Sequence, residues 1–206
     1  MKRILHPVRK LFLLSFVALL LFGGWLVHEQ RELADSMIRL HVVANSDSRE
    51  DQRLKLAVRD RILLTAEELC LTNATPEQAE EQLRSHLDEL SRVGQQVVQE
   101  WGRSYPVSAR LERCWFPTKE YEGFALPAGS YRALNIIIGE GLGQNWWCVA
   151  FPPLCLGAAT QPIEEAVQAG TFTEEQAKLM TEDGGGYVLK FRCLELLGKL
   201  QEFFLR

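Results

Sequence analysis

No C-x-x-C pair, no H-E-x-x-H helix and no EF-hand loop occurs in the 206 residues, so the common metal-site spacings are missing. No repeat or low-complexity tract is visible either, which removes repeat architectures. A basic stripe is also lacking. The chain has 23 Lys and Arg against 27 Asp and Glu, and its formal net charge is −4. Residues 1–36 hold five of the basic and three of the acidic side chains, so the remainder carries 18 against 24, a net −6. A negative domain of this kind is a poor ligand for nucleic acid or anionic lipid, and its charge points to a protein partner or a small ligand. What is present is ordinary for a globular chain: 47% hydrophobic and 24% charged residues exclude disorder, and the length predicts one domain with at most a small appendage.

The N-terminus departs from that average. Lys2, Arg3, Arg9 and Lys10 precede residues 11–27, a run without charge. A basic flank before an apolar run keeps its own end in the cytoplasm and sends the rest of the chain across a membrane. The run is long for a cleaved signal and short for a spanning helix. No clean Ala-x-Ala follows Val27; Gly23-Gly24 and Ala34-Asp35-Ser36 are poor substitutes. Signal peptide and retained anchor both remain open, with a buried helix as the third reading. Export of residues 37–206 is the expectation common to the first two.

Residues 38–60, IRLHVVANSDSREDQRLKLAVRD, read as a strand, a polar loop and the start of a helix. Ile38, Leu40, Val42 and Ala44 alternate with Arg39, His41 and Val43. Asn45, Ser46, Asp47 and Ser48 then end the strand, and Asp47 with Glu50 fits a capping box beside Ser48. Thr75-Pro76-Glu77-Gln78 opens a second helix, whose apolar stripe runs unbroken to Trp101. Strands are expected over 107–116, 130–138, 145–151 and 187–193. Gly139, Gly141 and Gly143 form a turn, and residues 118–130 form a loop or hairpin. Short helices are expected from Pro162 and from the capping box Thr173–Gln176, with a terminal helix through Phe204. Short connections favour antiparallel neighbours. Because strands and helices do not strictly alternate, the expected fold is α+β: a mainly antiparallel sheet of about five strands with helices packed on it.

Two stretches carry a resemblance. RLHVVANSDSREDQRLKLAVRD, and GSYRALNIIIGEGLGQNWWCVAFPPLC at 129–155, resemble in order and spacing the two signatures of the stage II sporulation protein R family. The resemblance implies a secreted signalling protein of endospore formers, made in the forespore and exported to the space between two membranes. There it is needed for a membrane-embedded protease, an aspartyl enzyme, to activate a sigma-factor precursor (pro-sigma-E) in the mother cell.

The residues themselves offer few alternatives. Cys148 and Cys155 flank Pro152-Pro153 closely enough for a disulfide, which would stabilise by about 2 kcal/mol; two buried free thiols are the other reading. Cys70, Cys114 and Cys193 look like core positions. A thiol-dependent envelope hydrolase would need Cys148 activated by His41, with Asn45 or Asp47 orienting the imidazole. His41, Asn45, Asp47, Glu50 and Asp51 contain metal-ligand atoms, but capping and turn formation already account for the run, so no metal or cofactor is expected. Gly139-Glu-Gly141-Leu-Gly143-Gln144 lacks the last glycine of a dinucleotide loop. Trp146 and Trp147 must face opposite ways on a strand, so one is core and the other covered or exposed. The candidate partner-binding residues are therefore Asn45, Ser46, Asp47, Asp51, Trp146 and Trp147, with the further expectation that the two stretches lie together.

Overall fold

Alternating Ile38, Leu40 and Val42 build β1 (Ile38–Val43), and their side chains lie wholly out of solvent. The computed structural model describes residues 13–15, 17–18, 21, 23–25, 28, 30–70, 74–121, 124–154, 163–168 and 170–181. After β1 come α1 (Arg49–Leu69), α2 (Pro76–Ser85), α3 (Leu87–Glu100), β2 (Val107–Phe116), β3 (Lys119–Tyr121), β4 (Phe124–Leu126), β5 (Gly129–Ile138), β6 (Asn145–Phe151), α4 (Ile163–Gln168) and α5 (Glu174–Thr181). Four strands form one sheet in the order β2-β5-β1-β6, while β3 and β4 form a separate ribbon. The strand expected over 187–193, the terminal helix and Cys155 lie outside the described residues.

The sheet is mixed, not mainly antiparallel. β1 runs parallel to β5 and antiparallel to β6, and β2 runs antiparallel to β5. Short connections suggest that β5 and β6 are neighbours, but β1 is inserted between them. The glycine turn after β5 crosses the end of β1 instead of closing a hairpin: Gly143 N–H donates to Ala44 O and Leu142 N–H to Asn45 O. Backbone bonds to a third strand leave no side-chain pattern, so this topology is not visible in periodicity.

Each sheet face has its own core. Against one pack α1, α2 and α3, with Leu54, Val58, Ile62, Leu83, Leu90 and Val98 on Leu40, Val42, Leu134 and Ile136. Burying each such aliphatic side chain stabilises by about 1.5–3 kcal/mol. Thr75 caps α2 in the expected reciprocal box with Gln78, and Pro76 sits in the first turn. The single long helix expected to Trp101 is broken at His86 (φ −114°, ψ 18°). Ser85 Oγ and His86 Nδ1 both bond back to the Gln82 carbonyl, offering it partners other than the helix ladder. The break leaves the apolar stripe continuous, which is why the stripe conceals it.

The second face carries Phe116, Tyr131, Ala133 and Val149 under Leu33, Met37, Phe124, Leu126 and Phe172. Residues 30–35 are helical, Leu33 and Ala34 are buried, and Asp35 pairs with Arg113 at 2.7 Å. The packed domain thus takes in residues ahead of the expected boundary at 36. Among the described residues no helix is long and apolar enough to cross a membrane, and eight of the 17 residues of the 11–27 run lie outside them. Because both faces are covered, the polar members of β1's alternation are drawn inward as well. Arg39 is fully buried, its guanidinium 4.1 Å from the Phe116 ring centre and 4.9 Å from that of Tyr131, and it donates to Tyr121 Oη at 2.7 Å. Two aromatic faces offset part of the cost of removing that cation from water.

Candidate functional site

The loop after β1 is held from within. Ser48 is the N-cap of α1 and accepts from Asp51 N–H at 3.1 Å, so the cap is Ser48 with Asp51 and not the expected Asp47–Glu50 box. The Asp51 carboxylate is buried and accepts from Ser46 Oγ (2.6 Å) and Asn45 Nδ2 (2.9 Å). Burial pushes this carboxyl up, but bonds from Ser46, Asn45 and Tyr105, with the charge of Arg103, outweigh it and hold the group below the ordinary carboxylate value. Asp51 therefore organises the loop and does not face solvent. Glu50 points outward, paired with Arg103.

The glycine turn locks onto this loop. Asn45 Oδ1 accepts from Glu140 N–H (3.1 Å), Asp47 Oδ1 from Gln144 N–H (2.7 Å), and Lys55 Nζ donates to Gln144 O (2.9 Å). Lys55 is almost fully buried; that burial pulls its ammonium below the usual range, Asp47 opposes the fall and Arg59 adds to it. Gly139 has φ +59°, and a Cβ there would meet Asn45 Cγ at 2.8 Å. A Cβ on Gly143 would meet Ser46 backbone carbon at 2.6 Å. The two sequence stretches expected to lie together do so, as the adjacent strands β5-β1-β6 and one interlocked end.

Leu142 is what this end presents. It stands 79% exposed at the tip of a turn whose neighbours on both sides are hydrogen-bonded. Sequence reasoning missed it; a lone leucine among three glycines was the available signal. Trp146 is 36% exposed on the helix-bearing face, with the Arg59 guanidinium 4.3 Å from its ring centre. Trp147 faces the other way, half-buried and stacked on His41 at 3.9 Å. Neither tryptophan is fully buried; Trp146 is the one open to a partner. Asp47 is exposed, whereas Asn45 and Ser46 spend their side chains on the loop and turn.

The hydrolase arrangement does not form. His41 pairs with Trp147 across the strands and Cys148 with Leu40, so the imidazole and the Cys148 sulfur lie on opposite faces of the sheet. Cys148 is also disulfide-bonded, which removes its thiolate; its partner, like the expected Cys148–Cys155 pairing, lies outside the described residues. Cys70 and Cys114 are free, and burial raises both thiols, Cys70 to about 11.

His41 instead belongs to a polar row across the second face. Its Nδ1 is 3.1 Å from Asn135 Oδ1, its Nε2 is 2.9 Å from Asn145 Oδ1, and Asn135 Nδ2 donates to Glu112 at 2.8 Å. Burial lowers the His41 pKa and the two asparagine bonds only partly restore it. A depressed folded pKa means the neutral ring stabilises the fold above 6.5, the ordinary imidazole value, and that this contribution is lost as pH falls through the lower folded pKa. Urea unfolding of the full chain at pH 7.5 and 5.5 is expected to show that loss, and His41→Asn to reduce it; an equal pH dependence in both proteins would contradict the assignment.

The model of the stage II sporulation protein R family matches residues 34–161, which span β1 through β6. The chain belongs to the stage II sporulation protein R family. It is 35% identical over 148 residues to stage II sporulation protein R of Bacillus subtilis (strain 168), an alignment covering 69% of this chain and 66% of that protein. The chain thus matches a little under two thirds of that relative's length. No solved structure matches. Membership in the stage II sporulation protein R family is consistent with a role in sporulation signalling. The match begins at Ala34, among the first residues packed on the second face.

Proposed function

We propose that this chain is an exported, non-enzymatic ligand, made in the forespore, which activates a membrane-embedded aspartyl protease from the space between the two membranes. The protease in turn processes the pro-sigma-E precursor in the mother cell. Binding is through the interlocked end of the sheet: Asp47, Leu142 and Trp146 with Arg59. The observation that carries the reading is Leu142, an apolar side chain held in solvent on a hydrogen-bonded turn, where ordering it on binding costs little. Trp146 backed by Arg59 supplies the aromatic and guanidinium chemistry that anchors interfaces. Such a ligand activates by binding the competent state of the protease more tightly than the resting state. The negative charge outside residues 1–36 supports a protein partner in preference to nucleic acid.

The test is sigma-factor precursor processing in sporulating cells that express full-length Trp146→Ala. Loss of an aromatic anchor of about 2 kcal/mol weakens binding roughly thirtyfold, so processing is expected to fall sharply while the unfolding midpoint stays near that of the parent chain. Normal processing by the folded variant would remove Trp146 from the contact surface.

A further inference from the structure

Among the described residues, the outer edge of β2 is closed over one half and unpaired over the other. β2 pairs with β5 along its length, from Val107 opposite Ile138 to Phe116 opposite Gly129. In an antiparallel pair, alternate residues direct N–H and C=O at the neighbour, and those between direct them outward. Two bonds identify the outward set. Val107 N–H donates to Gln95 Oε1 at 3.0 Å, and Ala109 N–H donates to Ser91 Oγ at 2.9 Å, both acceptors on α3. Leu111, Arg113 and Trp115 share that parity, and among the described residues no acceptor meets their N–H groups. Arg110, Glu112, Arg113 and Trp115 are exposed, Trp115 by 43%.

We propose that residues 111–115 are a pairing edge for a second copy of this chain, β2 against β2, antiparallel about a two-fold axis at Arg113. In that register Leu111 of each copy stands opposite Trp115 of the other and Arg113 opposite Arg113. Every outward N–H of residues 111, 113 and 115 then meets a carbonyl of the same set on the second copy, which is the self-complementarity a two-fold interface requires. Trp115 is set beside Leu111 of the second copy, an aromatic–aliphatic cross-strand pair. The two Arg113 guanidiniums meet as like charges, but each already has its own Asp35 carboxylate at 2.7 Å. A register centred on Leu111 would need the Val107 and Ala109 N–H groups, which α3 has taken, so the caps on α3 select the register as well as limiting the edge. An unpaired strand edge is a template on which a further strand can pair.

Light scattering of the full chain across a concentration series tests this, with Arg113→Pro as the probe. Proline removes the outward N–H and leaves the β2–β5 ladder intact, a position where edge strands accept it. It also removes the guanidinium from Asp35 and Ser130 O, so Arg113→Ala, which keeps the N–H, is the control and is expected to retain the dimer. The parent is expected to dimerise and the proline variant to weaken the dimer at least about tenfold, since one hydrogen bond is lost from each copy. Should proline disturb folding, Arg113→Cys in a Cys114→Ser background supplies the second measurement. Paired residues of this type have Cα atoms about 5.5 Å apart, within disulfide range, so mild oxidation is expected to give a covalent dimer, and Glu81→Cys on the outer face of α2 to give none. A parent chain that stays monomeric at all concentrations, a dimer unaffected by Arg113→Pro in a folded protein, or equal cross-linking at positions 113 and 81 would overturn the proposal.

Discussion

Replacing Gly143 with alanine is expected to destabilise the chain by about 3 kcal/mol, the upper range for forcing one carbon into a filled site. For a protein of this size that lowers the unfolding midpoint by roughly 6–12 °C. The new Cβ would lie 2.6 Å from the Ser46 carbonyl carbon and 2.9 Å from Ala44 Cβ, and the first of these is backbone that cannot swing aside. Relief requires the turn to lift from the loop, breaking Gly143 N–H to Ala44 O and Gln144 N–H to Asp47 Oδ1 together. Leu142 would then lose its fixed position, so precursor processing is expected to fall as well. Gly143 does not have the positive φ of Gly139 or Gly141, so the cost comes from close approach and not from backbone conformation. Scanning calorimetry of full-length Gly143→Ala checks the figure; a midpoint unchanged within a degree would show that turn and loop are not locked.

Asp51→Ala is expected to cost a similar amount, about 3 kcal/mol, because bonds to a charged acceptor contribute about 1.5–3 kcal/mol and two side-chain donors would be stranded together. Ser46 Oγ and Asn45 Nδ2 lose their acceptor, and Asn45 also holds Glu140 N–H, so the loss reaches the turn. The pH dependence carries a sign. Asp51 titrates below its ordinary value of 3.8 in the fold, so its stabilisation is complete above that value and disappears as pH falls through the lower folded pKa. Acid unfolding of the parent between pH 5 and 2 is therefore expected to be steeper than that of Asp51→Asn. Identical acid slopes would place the carboxylate's role elsewhere.

Local chemistry made several elements legible. β2 and β6 begin and end at the residues their alternation marks, and the boxes at Thr75 and Thr173 form as their spacing requires. Long-range choices were not legible. The insertion of β1 between β5 and β6 rests on backbone bonds from the turn to Ala44 and Asn45, which any residue could make. Arg39 occupies a polar position in the β1 alternation, yet it is buried because a second layer of residues, from Leu33 to Phe172, covers that face. At the site, the expectation set the Asn45–Asp51 loop beside the tryptophan strand, while the locking of the glycine turn onto that loop and the division of labour were not legible. Asn45, Ser46 and Asp51 look like surface polar residues but serve as internal struts, and Leu142 looks like turn filler but is the exposed tip. The capping box expected from Asp47 and Glu50 does not form, because Asp47 Oδ1 accepts from Gln144 N–H, ninety-seven positions away, and Ser48 caps the helix.

Under the proposed function, the interlocked end of the sheet is the docking surface for the partner. Site-specific photo-cross-linking in sporulating cells reads that contact without relying on loss of function. With a photoreactive side chain at position 142 of the full chain, the account predicts a covalent adduct to a membrane-embedded protease, and none when the same group replaces exposed Glu81 on α2. Adducts from position 81 but not from position 142, or none to any membrane protein from 142 in cells where the chain still signals, would contradict it.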